Sequence, residues 1–154
     1  MPITDKFFAI NIRKYLALGD DHEAGESALI QLLSGFSCPK NPDVEHFLKK
    51  NAIEFTKKNQ SVTYLVFSKD NGEMLGYFTL ALKPLTIRGE TVSNTTKRKL
   101  LRVSELDVKS DTYTMSAYLI AQLGKNYADG RNREIAGKEL IELAWMIIEK
   151  TQYM

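Results

Sequence analysis

Apolar positions along this chain change their spacing three times, and each spacing predicts a kind of element. From Glu23 to Leu33, Ala24, Ala28, Leu29, Leu32 and Leu33 recur at helical intervals. A second stripe, Val44, Phe47, Leu48, Ala52 and Phe55, predicts another helix. Asn41 suits its cap, Pro42 its first turn, and the run Lys57-Lys58-Asn59 the negative end of its dipole. Alternation then takes over at Val62, Tyr64, Val66 and Phe67, which read as a strand. Asp70-Asn71-Gly72 is the hairpin turn and Met74 to Leu82 the return strand, since Asn-Gly tolerates the positive φ of a tight turn.

The ends of the chain extend this pattern. Phe7 to Leu18 mixes aromatic and β-branched residues and predicts an opening strand, with Gly19-Asp20-Asp21 as its turn. The apolar run Ala117 to Leu123, ending at Gly124, predicts a further strand. Leu140, Ile141, Ala144, Ile147 and Ile148 form one face of a closing helix over roughly Arg133 to Gln152, opposite Lys138, Glu139, Glu142, Glu149 and Lys150. The link from Lys83 to Thr112 is long for a compact domain and has room for a short helix. The order β–α–α–β–β–link–β–α predicts an α+β (mixed α/β) chain, a sheet with helices packed on it.

Composition adds limits. One hundred and fifty-four residues, 44% hydrophobic and 26% charged, suit one soluble domain with its own core. A net charge of +2 is too small to argue for nucleic acid unless the charges cluster. Cys38 is the one cysteine, so no internal disulfide forms, which suits a reducing compartment. Phe7 to Ile12 is cut short by Arg13 and Lys14, too early for a signal segment, and nothing approaches a membrane span. These features predict a cytoplasmic protein.

The strand–loop–helix unit from Ala117 onward is the first candidate for chemistry. The first N–H groups of a helix lack internal partners and its dipole favours anions, and Arg131, Arg133 and Lys138 add charge there. The plain alternative is a unit that only packs. His46 lies beside an apolar stripe as a helix-surface residue, and no spacing suggests a metal. Cys38 lacks an activating pattern and reads as a structural thiol. Glu105 and Asp107 are either proton acceptors for an amine or solvated loop charges. Tyr113, Tyr118 and Tyr127 are either cleft or packing residues, and no catalytic residue is named. The basic run Lys97, Arg98, Lys99 and Arg102 is either a solvated helix face or a phosphate-contacting one.

Phe36-Ser37-Cys38, the helix Asp43 to Asn59 and the hairpin Ser61 to Leu85 resemble the N-terminal half of the Gcn5-related N-acetyltransferases. The branch concerned contains the toxin-like members of bacterial toxin–antitoxin systems. Ala117 to Tyr127 resembles that family's fourth strand, and Asn132 to Ala144 its motif A with the following helix. The resemblance implies an acyl-CoA N-acyltransferase-like fold with a central, mostly antiparallel sheet flanked by helices. It implies transfer of acetyl from acetyl-CoA to a primary amine. The family's Gln/Arg-x-x-Gly-x-Gly/Ala falls with Asn132 first, Ile135 at the first glycine and Gly137 at the second. Pyrophosphate would then lie against Arg131, Asn132, Arg133, Glu134, Ile135, Ala136, Gly137 and Lys138. The pantetheine arm would pair with main-chain groups of Leu123, Gly124 and Lys125. Asn132 and Ile135 both depart from that pattern, and bulk at Ile135 matters more, because glycine there lets backbone approach phosphate.

The family continues past this helix with a strand, a helix and two more strands that supply a general-acid tyrosine. Here the sequence reaches Met154 just after the motif A helix, so the expectation is a single domain over 1–154, truncated there. An exposed fourth-strand edge (Ala117, Leu119, Ile120, Leu123) predicts a homodimer. Toxin-like relatives acetylate aminoacyl-tRNA, which implies tRNA contacts through Lys97, Arg98, Lys99 and Arg102, and an antitoxin partner. The alternatives are an inert relative that binds CoA, RNA or a protein partner, and a piece of a longer enzyme.

Overall fold

Asparagine sets the first two boundaries. Strand β1 (Phe7–Asn11) stops where the Asn11 side chain accepts the Arg13 N–H at 2.9 Å, turning the chain into the single helical turn α1 (Arg13–Leu16). The opening strand is therefore shorter than the expected Phe7 to Leu18. The turn expected at 19–21 lies outside the described residues, which in this computed structural model are 2–17 and 22–152, without the side chains of 22, 23, 151 and 152. Helix α2 (His22–Ser34) buries Leu29 and Leu33, while Ala24 and Ala28 of the expected stripe face solvent. Asn41 caps α3 (Pro42–His46), its side chain accepting the Val44 N–H at 3.4 Å.

A π-helical turn over Phe47–Asn51 joins α3 to α4 (Ala52–Lys57). The extra residue of that turn shifts the helical period. Ile53 and Thr56 consequently point inward, and Phe55 is exposed, stacked edge-on against Phe47.

Strand β2 (Val62–Ser68) pairs antiparallel with β1 on one side and with β3 (Met74–Arg88) on the other. The turn between them contains Gly72 at φ 72°, as the Asn-Gly pair predicts. A register shift opposite Val66 and Phe67 leaves Leu75 as the extra residue on β3. The return strand runs past Leu82 to Arg88, which the sequence pattern misses because burial ends at Ala81. The rest of the long link is also structured: α5 (Asn94–Leu100), as expected, and β4 (Glu105–Asp107). Strand β5 (Thr112–Lys125) begins five residues before the expected apolar run. Helix α6 (Gly137–Gln152) starts later than expected, because Ala128–Arg133 forms a separate 3-10 turn. The strand order is β1-β2-β3-β5-β4, and β1 with β2, β2 with β3 and β4 with β5 pair antiparallel.

The chain divides into two compact units. Residues 1–81 with 120–154 form the first, and 82–119 form the second. In the first, side chains alternate across the strands. Leu65, Phe67, Met74 and Tyr77 meet α1 to α4 through Ile12, Leu29, Leu33, Phe36, Leu48 and Ile53. Val66, Leu75, Phe78 and Leu80 meet α6 through Leu140, Leu143, Ala144 and Ile148. Ile141, expected on the inner face of α6, is half exposed, and Leu143 takes the inward place.

The second unit is built on the outer part of β3, α5, β4 and the first half of β5. Ser93 caps α5 by accepting the Thr96 N–H at 3.1 Å. Gly89 and Asp111 pair there, the Gly89 N–H donating to the Asp111 carbonyl at 2.7 Å. Asp111 has φ 53°, a left-handed conformation that aspartate tolerates.

Candidate functional site

The end of β5 is fixed by one buried amide. Asn126 has no exposed surface. Its backbone N–H donates to Leu75 O at 2.8 Å and its side-chain N–H to Met74 O at 2.9 Å. Its side-chain oxygen accepts the N–H groups of Ser37 and Ala128, each at 3.1 Å. Tyr127 then donates its N–H to Ser37 O at 2.7 Å. The extra residue on β3 supplies the Leu75 carbonyl, so the bulge and Asn126 together decide where β5 ends. No periodicity marks Asn126, although a polar residue directly after an apolar strand is the kind that terminates one.

Two glycines let the strands close at this point. A β-carbon on Gly76 would lie 2.6 Å from the Gly124 carbonyl oxygen, and one on Gly124 would lie 2.3 Å from Val44 Cγ1. Gly124 is thus needed for packing against α3 and β3. The opposite edge of β5 is different. β4 pairs only with Thr112 to Thr114, and no other strand covers that edge among the described residues. Within the first unit the stretch Ile120–Lys125 therefore presents main-chain donors and acceptors. The side chains of Ile120 and Leu123 pack on the α6 core instead of standing exposed, as the sequence had suggested, whereas Leu119 is half exposed.

Beyond Asn126 the chain turns through Asp129 (φ 54°) and Gly130 (φ 74°) into the start of α6. Arg131 is drawn back toward the β2–β3 turn. Its Nε lies 3.3 Å from Glu73 Oε2, as an ion pair without hydrogen-bond alignment, and Nη2 lies 4.0 Å from Asp129 Oδ2. Glu134 accepts from the Asn71 side chain at 3.3 Å on the same turn. Ile135 is buried in the core beneath α6. Its bulk therefore points inward.

Ala136 caps α6 without a side-chain acceptor. Instead, the Glu139 carboxylate reaches back to the Ala136 N–H at 2.9 Å, the reciprocal half of a capping box. The N–H groups of Gly137 and Lys138 have no protein partner among the described residues. Space around Gly137 is open: a β-carbon there would meet nothing within 4 Å. Asn132 is half-buried, and Arg133 and Lys138 are exposed without ion-pair partners among the described residues. One of the anion-seeking amides is thus already engaged by a carboxylate, and two are open.

Lys125 and Lys40 lie 5.9 and 5.5 Å from the ring centre of half-buried Tyr127. Cys38 is buried in the core, as expected of a structural thiol, and His46 is exposed on its helix. Between them, Glu45 accepts the Cys38 N–H at 2.7 Å and sits 3.3 Å from Lys49 Nζ. These contacts, the backbone bond first, hold its carboxyl below the usual range despite some desolvation. Tyr77 donates to Val44 O at 2.6 Å. Burial, and secondarily Cys38, pushes its hydroxyl well above the ordinary tyrosine range. Cys38 and Glu45 line a cavity of about 560 Å³ together with Pro42, His46, Lys49 and Lys50.

The second unit holds the remaining candidates. Lys97, Arg98 and Lys99 lie on α5 and Arg102 on the turn after it, none ion-paired among the described residues. Glu105 and Asp107 are exposed on β4, and Asp107 accepts the Lys109 N–H. Tyr113 is buried and Tyr118 exposed.

No family model matches this sequence, and no curated protein matches it. A solved structure of AtaT complexed with acetyl-methionyl-tRNAfMet is similar in fold. The TM-score is 0.57 at 13% identity, over 96% of this chain and 71% of that one. The fold is the acyl-CoA N-acyltransferase-like one, a curled antiparallel five-stranded sheet flanked by helices, as the sequence resemblance implied. No helix among the described residues is long and apolar enough to cross a membrane.

Proposed function

We propose that this chain binds acetyl-CoA along the open edge of β5 and transfers the acetyl group to a primary amine. The observation that carries this reading is the continuity of three features in one unit: an unpaired strand edge at Ile120–Lys125, a turn with two left-handed residues, and a helix start with open amides at Gly137 and Lys138. The fold likeness supports it. Main-chain groups of Leu123, Gly124 and Lys125 would hold the pantetheine arm. The loop Arg131 to Lys138 would hold the pyrophosphate, with Arg133 and Lys138 balancing its charge and the helix dipole adding to them.

The protein's share in catalysis would be positioning and backbone stabilisation of the developing oxyanion, with no covalent enzyme intermediate. The acceptor would be the amine of an aminoacyl-tRNA. The complex of the structurally similar AtaT with acetyl-methionyl-tRNAfMet and the unpaired cations at Lys97, Arg98, Lys99 and Arg102 support this choice. A homodimer through the free β5 edge, an antitoxin partner and a cytoplasmic setting complete the proposal.

One specific observation favours a second reading, an inert relative that binds CoA, RNA or a partner. Glu139 occupies the Ala136 amide and Glu73 holds Arg131, so two expected anion contacts are already engaged. Incubation with acetyl-CoA and a panel of aminoacyl-tRNAs, followed by mass spectrometry of the released aminoacyl groups, separates the two. A mass gain of one acetyl group supports the transferase, and unmodified amines throughout support the binder.

A further inference from the structure

Charge is unevenly divided along this chain. Between Leu82 and Leu119 seven Lys and Arg stand against four Asp and Glu. Arg88 pairs with Glu90 inside that unit, which leaves the α5 cations and Arg102 unneutralised among the described residues. Beside them lies a cavity of about 490 Å³, lined by Pro84, Arg102, Ser104, Glu105, Thr114, Met115 and their neighbours. Arg102 belongs both to the basic run and to the cavity wall. The turn that carries it is held in place: Arg102 N–H donates to Lys99 O, Val103 N–H to Leu100 O, and the Ser104 hydroxyl to Leu100 O.

We infer that this cavity takes the base of one unpaired nucleotide of an RNA strand whose phosphates run along α5. The inference rests on the RNA-linked acceptor proposed above and adds the place and the form of the RNA. The lining decides between occupants. Pro84, Val103 and Met115 give the apolar walls against which a base face packs, while Thr114 and Ser116 offer hydroxyls to its edge and Ser104, its proton held by Leu100 O, offers an acceptor. Glu105 inside the same cavity repels a free phosphate or a carboxylate and accepts from a base N–H. The phosphate belongs at the mouth, with Arg102 and α5, and the base within. A stacked duplex cannot place a base there, so the site selects single strands.

The test is fluorescence anisotropy with a labelled single-stranded RNA hexamer and a labelled RNA duplex, on the full chain. The variants are Ser116→Trp, which fills the cavity, Arg102→Ala, and Lys97→Ala with Lys99→Ala. Ser116, Arg102 and Lys99 are exposed and Lys97 half-buried, and unchanged thermal transitions confirm that the variants fold. We expect Ser116→Trp to weaken hexamer binding about tenfold and duplex binding less than about twofold. The lysine pair should weaken both and reduce the salt slope. Equal loss on both RNAs, or none, with Ser116→Trp overturns the cavity while leaving the RNA-linked acceptor standing. Failure of the wild-type chain to bind either RNA overturns both. Displacement of the hexamer by polyglutamate at equal charge overturns the nucleotide assignment in favour of an acidic protein segment.

Discussion

Asn126 donates its side-chain N–H to the carbonyl of Met74 across 2.9 Å, fully buried, and so ties the residue just after β5 to the first residue of β3. With the Ser37 and Ala128 N–H groups on its oxygen, the amide satisfies three separate segments. Asn126→Ala leaves those buried groups unpaired. It should cost about 2–4 kcal/mol, taking about 1 to 3 for each orphaned group and allowing for relaxation. Urea denaturation measures this. A loss below about 0.5 kcal/mol would mean that water replaces the amide without cost.

Gly124 and Gly137 predict opposite outcomes for the same substitution. Gly124→Ala drives a methyl group into Val44 and should destabilise by about 1–3 kcal/mol. Gly137→Ala enters open space and should leave stability unchanged or slightly raised, since alanine is the better helix former. If a pyrophosphate rests on that backbone, Gly137→Ala should nevertheless weaken acetyl-CoA binding. A thermal melt and a ligand titration on the same two variants separate packing from binding.

Glu139 competes with any anion for the start of α6. Glu139→Gln keeps an acceptor for the Ala136 N–H and removes one negative charge from the first turn. Affinity for acetyl-CoA should rise about two- to fivefold, the range for one charge at a helix end. Unchanged affinity would place the pyrophosphate elsewhere.

Glu45 gives a pH signature. Its folded carboxyl is depressed, chiefly by the Cys38 N–H, so its stabilisation is present above the unfolded value of about 4.3. It is lost as pH falls through the lower folded value. Glu45→Gln should therefore melt below the wild type at neutral pH, and the gap should close under acid. A gap constant from pH 7 to pH 3 would show that the neutral amide loses packing, not charge.

How far the sequence was legible follows from where burial and periodicity agree. The Asn41 cap, the Asn-Gly turn and the stripe of α6 all pair a local residue preference with a buried face, and they stand in the structure except at Ile141, whose inward place Leu143 takes. The outer half of β3 does not. From Leu82 to Arg88 the strand persists through backbone pairing while nearly every side chain is exposed, so no hydrophobic pattern marks it. Phe55 misleads for another reason: the π turn at Phe47–Asn51 moves the inward position to Ile53, a change of period that spacing rules do not anticipate. At the candidate site the strand and the loop were visible in sequence. The direction of Ile135, the reach of Glu139 and the diversion of Arg131 to Glu73 were not, because each depends on a partner far away or on backbone geometry.

Isothermal titration of the full chain with acetyl-CoA measures the proposed cofactor site most directly. Saturable one-to-one binding, weakened by Gly137→Ala and strengthened by Glu139→Gln, is the predicted result. Absence of any heat at millimolar acetyl-CoA, with the protein folded by its thermal transition, would contradict a CoA site at the end of β5 and the start of α6.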